Sequence, residues 1–240
     1  MEKWQNKVVL VTGAAQGLGK CIAQSLASNG MIVVACDIRA DKLEDLVKNY
    51  KGKPGEAGSI EAVKCDISKV EDILRLFCHI EQKFKTLHAC VNNAAVGREE
   101  SEKSEIYESW KYILEVNVLG VAICSKEAVN LMTKLGVVDG LIVNISSVMG
   151  KQVSLSTLDE EFGFYNHMYV ATKHAVTALT QCLRLEIQRR TYASAKNIYE
   201  KYSNLSPEDV CDALLFVFKC DNNVQIDDMM ITPVRHPGKL

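Results

Sequence analysis

The sequence has no long apolar run and no block of like charges. Its longest apolar stretches, MIVVAC and LLFVF, are far too short to cross a bilayer, and the amino-terminal MEKWQNKVVLVTG has no apolar segment of a secretory signal. Basic and acidic residues are interspersed and give a net charge of −2, which argues against a surface for nucleic acid or an anionic membrane. We therefore expect no membrane span and no nucleic-acid partner.

The nine cysteines include no C-x-x-C pair and no Cys/His cluster with zinc spacing. Their number is odd and they are scattered along the chain. Cys36, Cys90 and Cys124 lie in apolar runs, as small core residues do in a reducing compartment. The pattern argues against a disulfide framework and against a metal site, and it predicts a cytoplasmic protein.

The sequence does contain a regular alternation of short β-rich runs and longer helical patterns. Strands are predicted at 7–12, 31–37, 59–66, 88–93, 140–146 and 225–233, and helices at 17–29, 40–50, 69–85, 104–135, 164–190 and from Ser206. Apolar strands separated by helices are typical of a parallel sheet covered on both faces. With right-handed crossovers, the prediction is an α/β fold, a doubly wound, mostly parallel, Rossmann-like sheet in a single domain over residues 1–240.

The first predicted strand runs into TGAAQGLG, in which Gly13, Gly17 and Gly19 allow a tight turn into the next helix. Glycines at such a turn let a diphosphate approach the backbone N–H groups at a helix amino terminus. A turn that serves packing alone is the alternative interpretation of a glycine triplet. Its position between a strand and a helix favours a dinucleotide site.

Asp37 closes the second predicted strand, where a carboxylate can accept both ribose hydroxyls of an adenosine and repels a 2′-phosphate. The predicted cofactor is therefore NAD, with NADP as the alternative. Arg39 favours the alternative because it could swing toward a 2′-phosphate. A solvated surface arginine is the other interpretation of that residue.

Five further motifs follow in order: CDI at 65–67, NNAA at 92–95, Asn117 in EVNVLG, NISS at 144–147 and YVATK at 169–173. With the glycine loop they resemble the classical short-chain dehydrogenase/reductase family over about residues 5–190 and 205–233. Ala95 departs from the family, which usually has glycine there. Within the family, the sequence resembles insect farnesol dehydrogenases and dehydrogenase/reductase proteins of the member-eleven type. The resemblance implies a metal-free, reversible oxidation of a hydrophobic alcohol by NAD, the alcohol being a terpenoid such as farnesol or a steroid- or prostanoid-like compound.

The resemblance assigns catalytic roles to Asn117, Ser147, Tyr169 and Lys173. Tyr169 and Lys173 stand at positions i and i+4, so they share a helix face. Tyr169 would remove the alcohol proton, with its pKa lowered by Lys173 and by oxidised nicotinamide, and Lys173 would also hold the nicotinamide ribose. Ser147 would bind the substrate oxygen and Asn117 a water in a proton relay. For the pair in isolation, a core tyrosine beside a snorkelling lysine is the alternative.

The resemblance also implies a set of cofactor-binding residues: Gly13, Gln16, Gly17, Leu18, Gly19, Asp37, Asp66, Ile67, Asn93, Tyr169 and Lys173. Asp66 either contacts the adenine or caps a strand, and Asn93 either lines the cofactor or holds the fourth strand in place. The family further implies a homodimer or homotetramer formed through the helices at 104–135 and 165–190.

Two segments depart from the family pattern. SLSTLDEEFGF, at 154–164, lengthens the connection between Ser147 and Tyr169, either as a wall of the substrate pocket or as a surface excursion. After LEIQRR, at 185–190, the next strand and its Pro-Gly turn are missing, which exposes sheet edges and removes a turn that the family places at the nicotinamide carboxamide. The chain is then either a shortened or spliced form or one that has lost a segment. Two alternatives to the NAD enzyme stay open, an NADP-dependent carbonyl reductase and a non-catalytic dinucleotide-binding sensor or scaffold.

Overall fold

The computed structural model describes residues 4–50, 58–97, 106–151, 153 and 167–194. Within them, five strands form a sheet: β1 (Val8–Thr12), β2 (Ile32–Asp37), β3 (Ser59–Lys64), β4 (Ala89–Asn92) and β5 (Leu141–Asn144). Their order across the sheet is β3-β2-β1-β4-β5, and every neighbouring pair is parallel. The predicted doubly wound, mostly parallel sheet is confirmed.

Six α-helices of the described part follow the strands: α1 (Gly17–Ser28), α2 (Ala40–Asn49), α3 (Val70–Phe84), α4 (Ile106–Leu114), α5 (Val121–Lys134) and α6 (His167–Ser194). The helix predicted at 104–135 is not regular, because a π-helical segment, Glu115–Gly120, separates α4 from α5. A π turn inserts one extra residue into an α-helix and is frequent at functional sites. Here it contains Asn117, whose side chain is buried and fully hydrogen-bonded to other segments.

The sheet is apolar on both faces because its strands are covered by helices on each side. In β1, Val8 and Leu10 belong to one buried cluster, which includes residues of α3 and α5 such as Ile73. Val9 and Val11 point to the opposite face and join a second cluster with residues of α1 and α2, such as Leu43. Burying one such side chain contributes about 1.5–3 kcal/mol, so the alternation of β1 accounts for the layered architecture.

Parallel strands bring their carboxyl ends to one edge of the sheet, and that edge positions the candidate site. Thr12 of β1 is in register with Cys36 of β2, and Asn92 of β4 with Asn144 of β5. Within the described residues, β5 is an edge strand, and its Leu141 side chain is 42% exposed. The strand predicted at 225–233, the helix predicted from Ser206 and the segment after residue 194 lie outside the described residues.

The chain divides into two compact units, Met1–Gln181 and Cys182–Leu240. The first unit holds the sheet and the candidate site. Of the second unit, the structure describes residues 182–194, the end of α6. The single domain expected over residues 1–240 stays a prediction. No helix within the described ranges is both long and apolar enough to cross a membrane.

Candidate active site

A cavity of about 430 Å³ opens at the carboxyl ends of β1, β2 and β4. The predicted cofactor-binding residues outside α6 all line it: Gly13, Gln16, Gly17, Leu18, Gly19, Asp37, Asp66, Ile67 and Asn93. Six further lining residues had no predicted role: Ile38, Cys65, Ala94, Val96, Tyr112 and Val116. Cys65, Ala94 and Val116 lie within the quoted motifs. Tyr112 lies four residues before Val116, so the shared helix face of these two residues was the signal that could have identified it.

Glycine is required at two positions of the loop after β1. Gly13 has a φ of +66°, and a Cβ there would lie 2.7 Å from the Ala94 Cα. A Cβ on Gly19 would lie 2.1 Å from the Gly13 carbonyl oxygen. Gly17 also has a positive φ, +52°, but a Cβ on it would meet nothing within 4 Å, which leaves open space in front of the α1 amino terminus. The loop therefore combines close packing with a free approach for an anion.

Thr12 and Asn93 join the glycine loop to the end of β4. The Thr12 hydroxyl accepts hydrogen bonds from the backbone N–H of Asn93 at 3.1 Å and of Ala94 at 3.0 Å. The Asn93 amide donates back to the carbonyl oxygens of Thr12 at 2.9 Å and Gly13 at 3.2 Å. Asn93 therefore fixes the end of the fourth strand and lines the cavity, and its contact with a cofactor stays a prediction.

The Asp37 carboxylate is engaged by protein donors. Oδ2 accepts from Ala15 N and Arg39 Nη2, each at 3.1 Å, and Oδ1 from Arg39 N at 3.1 Å and Arg39 Nε at 3.0 Å. Burial acts to raise the pKa of Asp37, but the bonds from Arg39 and Ala15 outweigh it and hold the pKa below its usual range. Arg39 is thus paired with Asp37 and is not a freely solvated arginine, although 38% of its side chain is exposed.

Asp66 caps the turn after β3 and lines the cavity. Its Oδ1 accepts from the Ser68 backbone N–H at 3.0 Å and the Ser68 hydroxyl at 2.7 Å. Its Oδ2 lies 3.6 Å from Lys69 Nζ. Asp66 thus has the capping role that was one of its two expected roles. Its position in the cavity is compatible with the other, a contact with the adenine.

Ser147 and Tyr169 meet beside the 3₁₀ turn Val148–Gly150. Ser147 caps that turn, with its hydroxyl accepting from Met149 N at 3.2 Å. The same side chain hydrogen-bonds the Tyr169 phenol. For the chain by itself, burial raises the pKa of Tyr169, and the Ser147 bond acts in the opposite direction without cancelling it. The lowered pKa that we expected from Lys173 is therefore not a property of the protein groups alone.

The Lys173 ammonium lies over the Tyr169 ring. Its Nζ is 5.4 Å from the ring centroid and donates to the Ile145 carbonyl oxygen at 3.0 Å. The residue is 3% exposed, and burial lowers the pKa of its ammonium group. A snorkelling surface lysine would have its charge in water, so this interpretation does not fit the geometry.

Asn117 uses its whole side chain for contacts with protein. Oδ1 accepts from Val96 N at 2.8 Å, and Nδ2 donates to Val96 O at 2.7 Å and to Thr172 Oγ1 at 3.1 Å. Both amide hydrogens are used, so a water of the expected proton relay could only donate to Oδ1, which accepts one other hydrogen bond. Thr172, which the motif analysis passed over, is the residue that connects Asn117 to α6.

A family model described as short chain dehydrogenase matches residues 7–194. Dehydrogenase/reductase SDR family member 11 of Gallus gallus is 34% identical to this chain, and the alignment covers 97% of this chain and 98% of the chicken protein. Farnesol dehydrogenase of Aedes aegypti is 35% identical, with 98% of both chains covered. The alignment with the chicken protein runs over 258 positions, more than the 240 residues here, so part of that relative has no counterpart in this chain.

A solved short-chain dehydrogenase/reductase from Burkholderia phymatum, in complex with NAD, has the same fold with a TM-score of 0.68 and 27% identity. The match covers 79% of this chain and 63% of the solved one, so it spans less than two thirds of that protein. The family model covers most of the chain, and the two full-length relatives exceed 30% identity. The glycine loop, the Asn117 segment and the Ser147–Tyr169–Lys173 cluster lie where these matches run. The chain belongs to the short-chain dehydrogenase family of oxidoreductases.

Proposed function

We propose that the protein catalyses the reversible, NAD-dependent oxidation of a hydrophobic alcohol to its carbonyl compound. The observation that carries the proposal is the buried Lys173 ammonium, 5.4 Å from the centroid of the Tyr169 ring, with Ser147 beside the phenol. This arrangement offers a hydrogen-bond partner for a substrate oxygen, a proton acceptor next to it and a fixed positive charge.

The cavity fits a dinucleotide by its own geometry. Gly17 leaves open space at the amino terminus of α1, where a diphosphate would meet unpaired N–H groups and the positive end of the helix dipole. Asp37 and Asp66 line the part of the cavity where an adenosine would bind. NAD, when bound there, supplies the hydride acceptor.

Each protein group has one task in the proposed reaction. Ser147 holds the alcohol oxygen, and Tyr169 takes the hydroxyl proton. A hydride would leave the carbon that bears the hydroxyl group and pass to NAD, so the alcohol loses two electrons and two hydrogens. Lys173 stabilises the Tyr169 phenolate. Burial raises the pKa of Tyr169 in the chain by itself, so the positive charge of oxidised nicotinamide has to contribute to its ionisation. In reduction, the phenol returns the proton.

The test is to replace Tyr169 by phenylalanine and to measure turnover and NAD binding separately. Tyr169→Phe removes the proton acceptor and keeps the ring, so we expect turnover to fall at least about 100-fold while the NAD dissociation constant stays within about twofold. If turnover and NAD binding are both unchanged in the variant, the result would instead favour the non-catalytic sensor or scaffold. Activity is followed as NAD reduction, with the chain as it stands and with a restored strand-and-loop segment after residue 190.

NADP is the second candidate cofactor, and the Arg39 contact favours it. With Arg39 on its carboxylate, Asp37 presents a neutralised pair toward the cavity instead of a bare negative charge. Such a pair repels a 2′-phosphate less than a free carboxylate does, and the guanidinium keeps hydrogen-bond donors for it. Titration of both cofactors decides between the NAD-dependent dehydrogenase and an NADP-dependent carbonyl reductase.

For the substrate, we propose a terpenoid alcohol such as farnesol, with steroid- and prostanoid-like alcohols as the other classes. The support is the 35% identity to a protein named farnesol dehydrogenase. The segment 154–164, expected as a possible pocket wall, lies outside the described residues. A screen of cofactor reduction over the three classes of alcohol tests the assignment, and a preference for short polar alcohols would contradict it.

The proposal extends to assembly and location. We propose a homodimer or homotetramer formed through the helices at 104–135 and 165–190. The exposure of Tyr107 at 71% and Leu114 at 41% on α4, and of Leu119 at 47% in the π-helical segment, supports the first of these regions. Light scattering would measure the assembly. Seven cysteines of the described part are free thiols, which supports a cytoplasmic protein.

A further inference from the structure

We propose that Thr172 is a positioning residue for the reaction, because it holds the backbone of Tyr169 against Asn117; the inference rests on the proposed function. Thr172 directly precedes Lys173, and its side chain is completely buried, at 0% exposure. A buried hydroxyl destabilises a protein unless it is hydrogen-bonded. Its partners therefore show what the hydroxyl does.

The hydrogen bonds of Thr172 run in one direction. Its single hydroxyl proton is donated to the Tyr169 carbonyl oxygen at 2.7 Å, which leaves the oxygen lone pairs to accept the Asn117 Nδ2–H at 3.1 Å. The amide can face Thr172 with its nitrogen because its Oδ1 accepts from the Val96 N–H at 2.8 Å. Every donor and acceptor in this link has a partner, so the arrangement has one orientation.

The same link reaches Tyr169 from a second side. Asn117 Nδ2 also donates to the Val96 carbonyl oxygen at 2.7 Å, which fixes the loop after β4. Gly97, the next residue of that loop, lies against the Tyr169 ring, since a Cβ on it would be 3.1 Å from the ring Cδ2. Asn117 is thus connected to the Tyr169 backbone through Thr172 and to its ring through Val96 and Gly97.

A helical threonine that bonds to the carbonyl one turn earlier is common, so this bond by itself does not mark a functional residue. Thr180 provides the comparison within the same helix. Its hydroxyl donates to Val176 O at 2.7 Å and accepts from Asn144 Nδ2 at 2.9 Å. The two threonines have bonds of the same kind, but the partners of Thr180 lie on β5 and on a turn of α6 without a reacting group.

Three variants separate positioning from stability. Thr172→Val keeps the shape and removes both bonds, Thr172→Ser keeps both bonds, and Thr180→Val is the matched control. We expect T172V to lower kcat about 10- to 100-fold, with KM and the NAD dissociation constant within about twofold, because a small misplacement of a reacting group is sufficient for such a loss. T172S should recover kcat to within about threefold of wild type, and T180V should keep it even where its unfolding temperature falls.

The proposal is overturned if T172V turns over at the wild-type rate, or if T180V loses as much kcat as T172V. Should T172V not fold, Thr172→Cys, which keeps the size with a much weaker donor, is assayed by the same criterion.

A measurement that needs no turnover keeps this inference separate from the proposed function. In protein with ¹³C-labelled tyrosine rings, the Tyr169 resonance is assigned through Tyr169→Phe. It should shift in T172V and stay in place in T172S and T180V. If the wild type oxidises no alcohol but this pattern is found, the proposed function fails and the positioning role stands. An unshifted Tyr169 resonance in T172V overturns the positioning role whatever the activity.

Discussion

Arg39 binds the Asp37 carboxylate through two side-chain nitrogens, Nε at 3.0 Å from Oδ1 and Nη2 at 3.1 Å from Oδ2. A ribose diol that binds the same carboxylate has to displace these donors. In the proposed cofactor site, the pair would therefore weaken the interaction with NAD and lessen the repulsion of NADP. Asp37 and Arg39, paired at the carboxyl end of β2, would favour different cofactors.

Arg39→Ala should tighten NAD binding and weaken NADP binding, because the variant frees the carboxylate and removes the guanidinium. A partly exposed ion pair contributes up to about 1 kcal/mol, so each dissociation constant should change by about two- to fivefold. Fluorescence titration of both cofactors measures the change. Arg75→Ala, which removes an exposed arginine from an ion pair with Asp72 on α3, is the matched control and should leave both constants unchanged. Equal effects of R39A on the two cofactors would contradict the prediction.

Gly97→Ala should reduce catalysis through the Tyr169 ring. The added Cβ would lie 3.1 Å from the ring Cδ2, so the ring has to move by a few tenths of an ångström. We expect kcat to fall about 10-fold or more with a small change in unfolding temperature. Steady-state kinetics with differential scanning calorimetry check both values. A wild-type kcat in G97A would show that the ring position tolerates the shift.

Asn92→Ala should destabilise the fold. The buried Asn92 amide donates to Ser125 Oγ at 2.9 Å and to Asn144 Oδ1 at 2.8 Å, joining β4 to α5 and β5. Removing the amide leaves buried polar atoms with fewer hydrogen-bond partners, which should lower the free energy of unfolding by about 1–3 kcal/mol. Urea unfolding measures the loss. Asn130→Ala, an exposed residue of α5 with one long bond to Glu127, should change stability by less than about 0.5 kcal/mol.

Acid should destabilise the chain through His88. The backbone N–H of Val8 donates to His88 Nδ1 at 3.1 Å, which requires that nitrogen to be unprotonated. Burial, with the nearby Lys7 charge, lowers the pKa of His88. A histidine with a lowered folded pKa contributes stability that is present above the unfolded pKa, about 6.5, and is lost as pH falls through the folded value.

His88→Asn keeps an acceptor and removes the titration. The unfolding temperature of the variant should therefore depend less on pH between about 7 and 5 than that of the wild type. The difference should amount to a few degrees at most, because His88 is partly exposed to solvent. If the unfolding temperatures of the two proteins change with pH at the same rate, His88 does not cause the pH dependence.

The first five strands and the glycine loop were predictable because their sequence patterns are local. Apolar runs of five or six residues and the spacing of Gly13, Gly17 and Gly19 depend on neighbours in sequence, and the structure matches them within a few residues. The assembly of the cofactor cavity followed from one further rule, that parallel strands end at a common edge. The motifs from Gly13 to Asn93 line one cavity for that reason.

The features that the sequence did not predict depend on contacts that sequence spacing does not determine. The π segment at Asn117 has no sequence period of its own, and its side-chain partners Val96 and Thr172 are 21 and 55 residues away. The pairing of Arg39 with Asp37 was open because two rotamers of one arginine fit the same sequence. The pKa of Tyr169 was expected to fall because of Lys173 and oxidised nicotinamide. In the chain by itself burial raises this pKa, and burial cannot be read from the spacing of two residues.

The hydroxyl of Thr12 accepts two N–H groups from the end of β4, and Asn93 returns two bonds to the loop after β1. These four bonds hold the loop after β1 and the end of β4 together at the rim of the cavity. A dinucleotide that enters does not have to order these two loops, so little of its contact energy is lost to their entropy. Preorganisation of this kind should strengthen cofactor binding without a large rearrangement of the sheet edge.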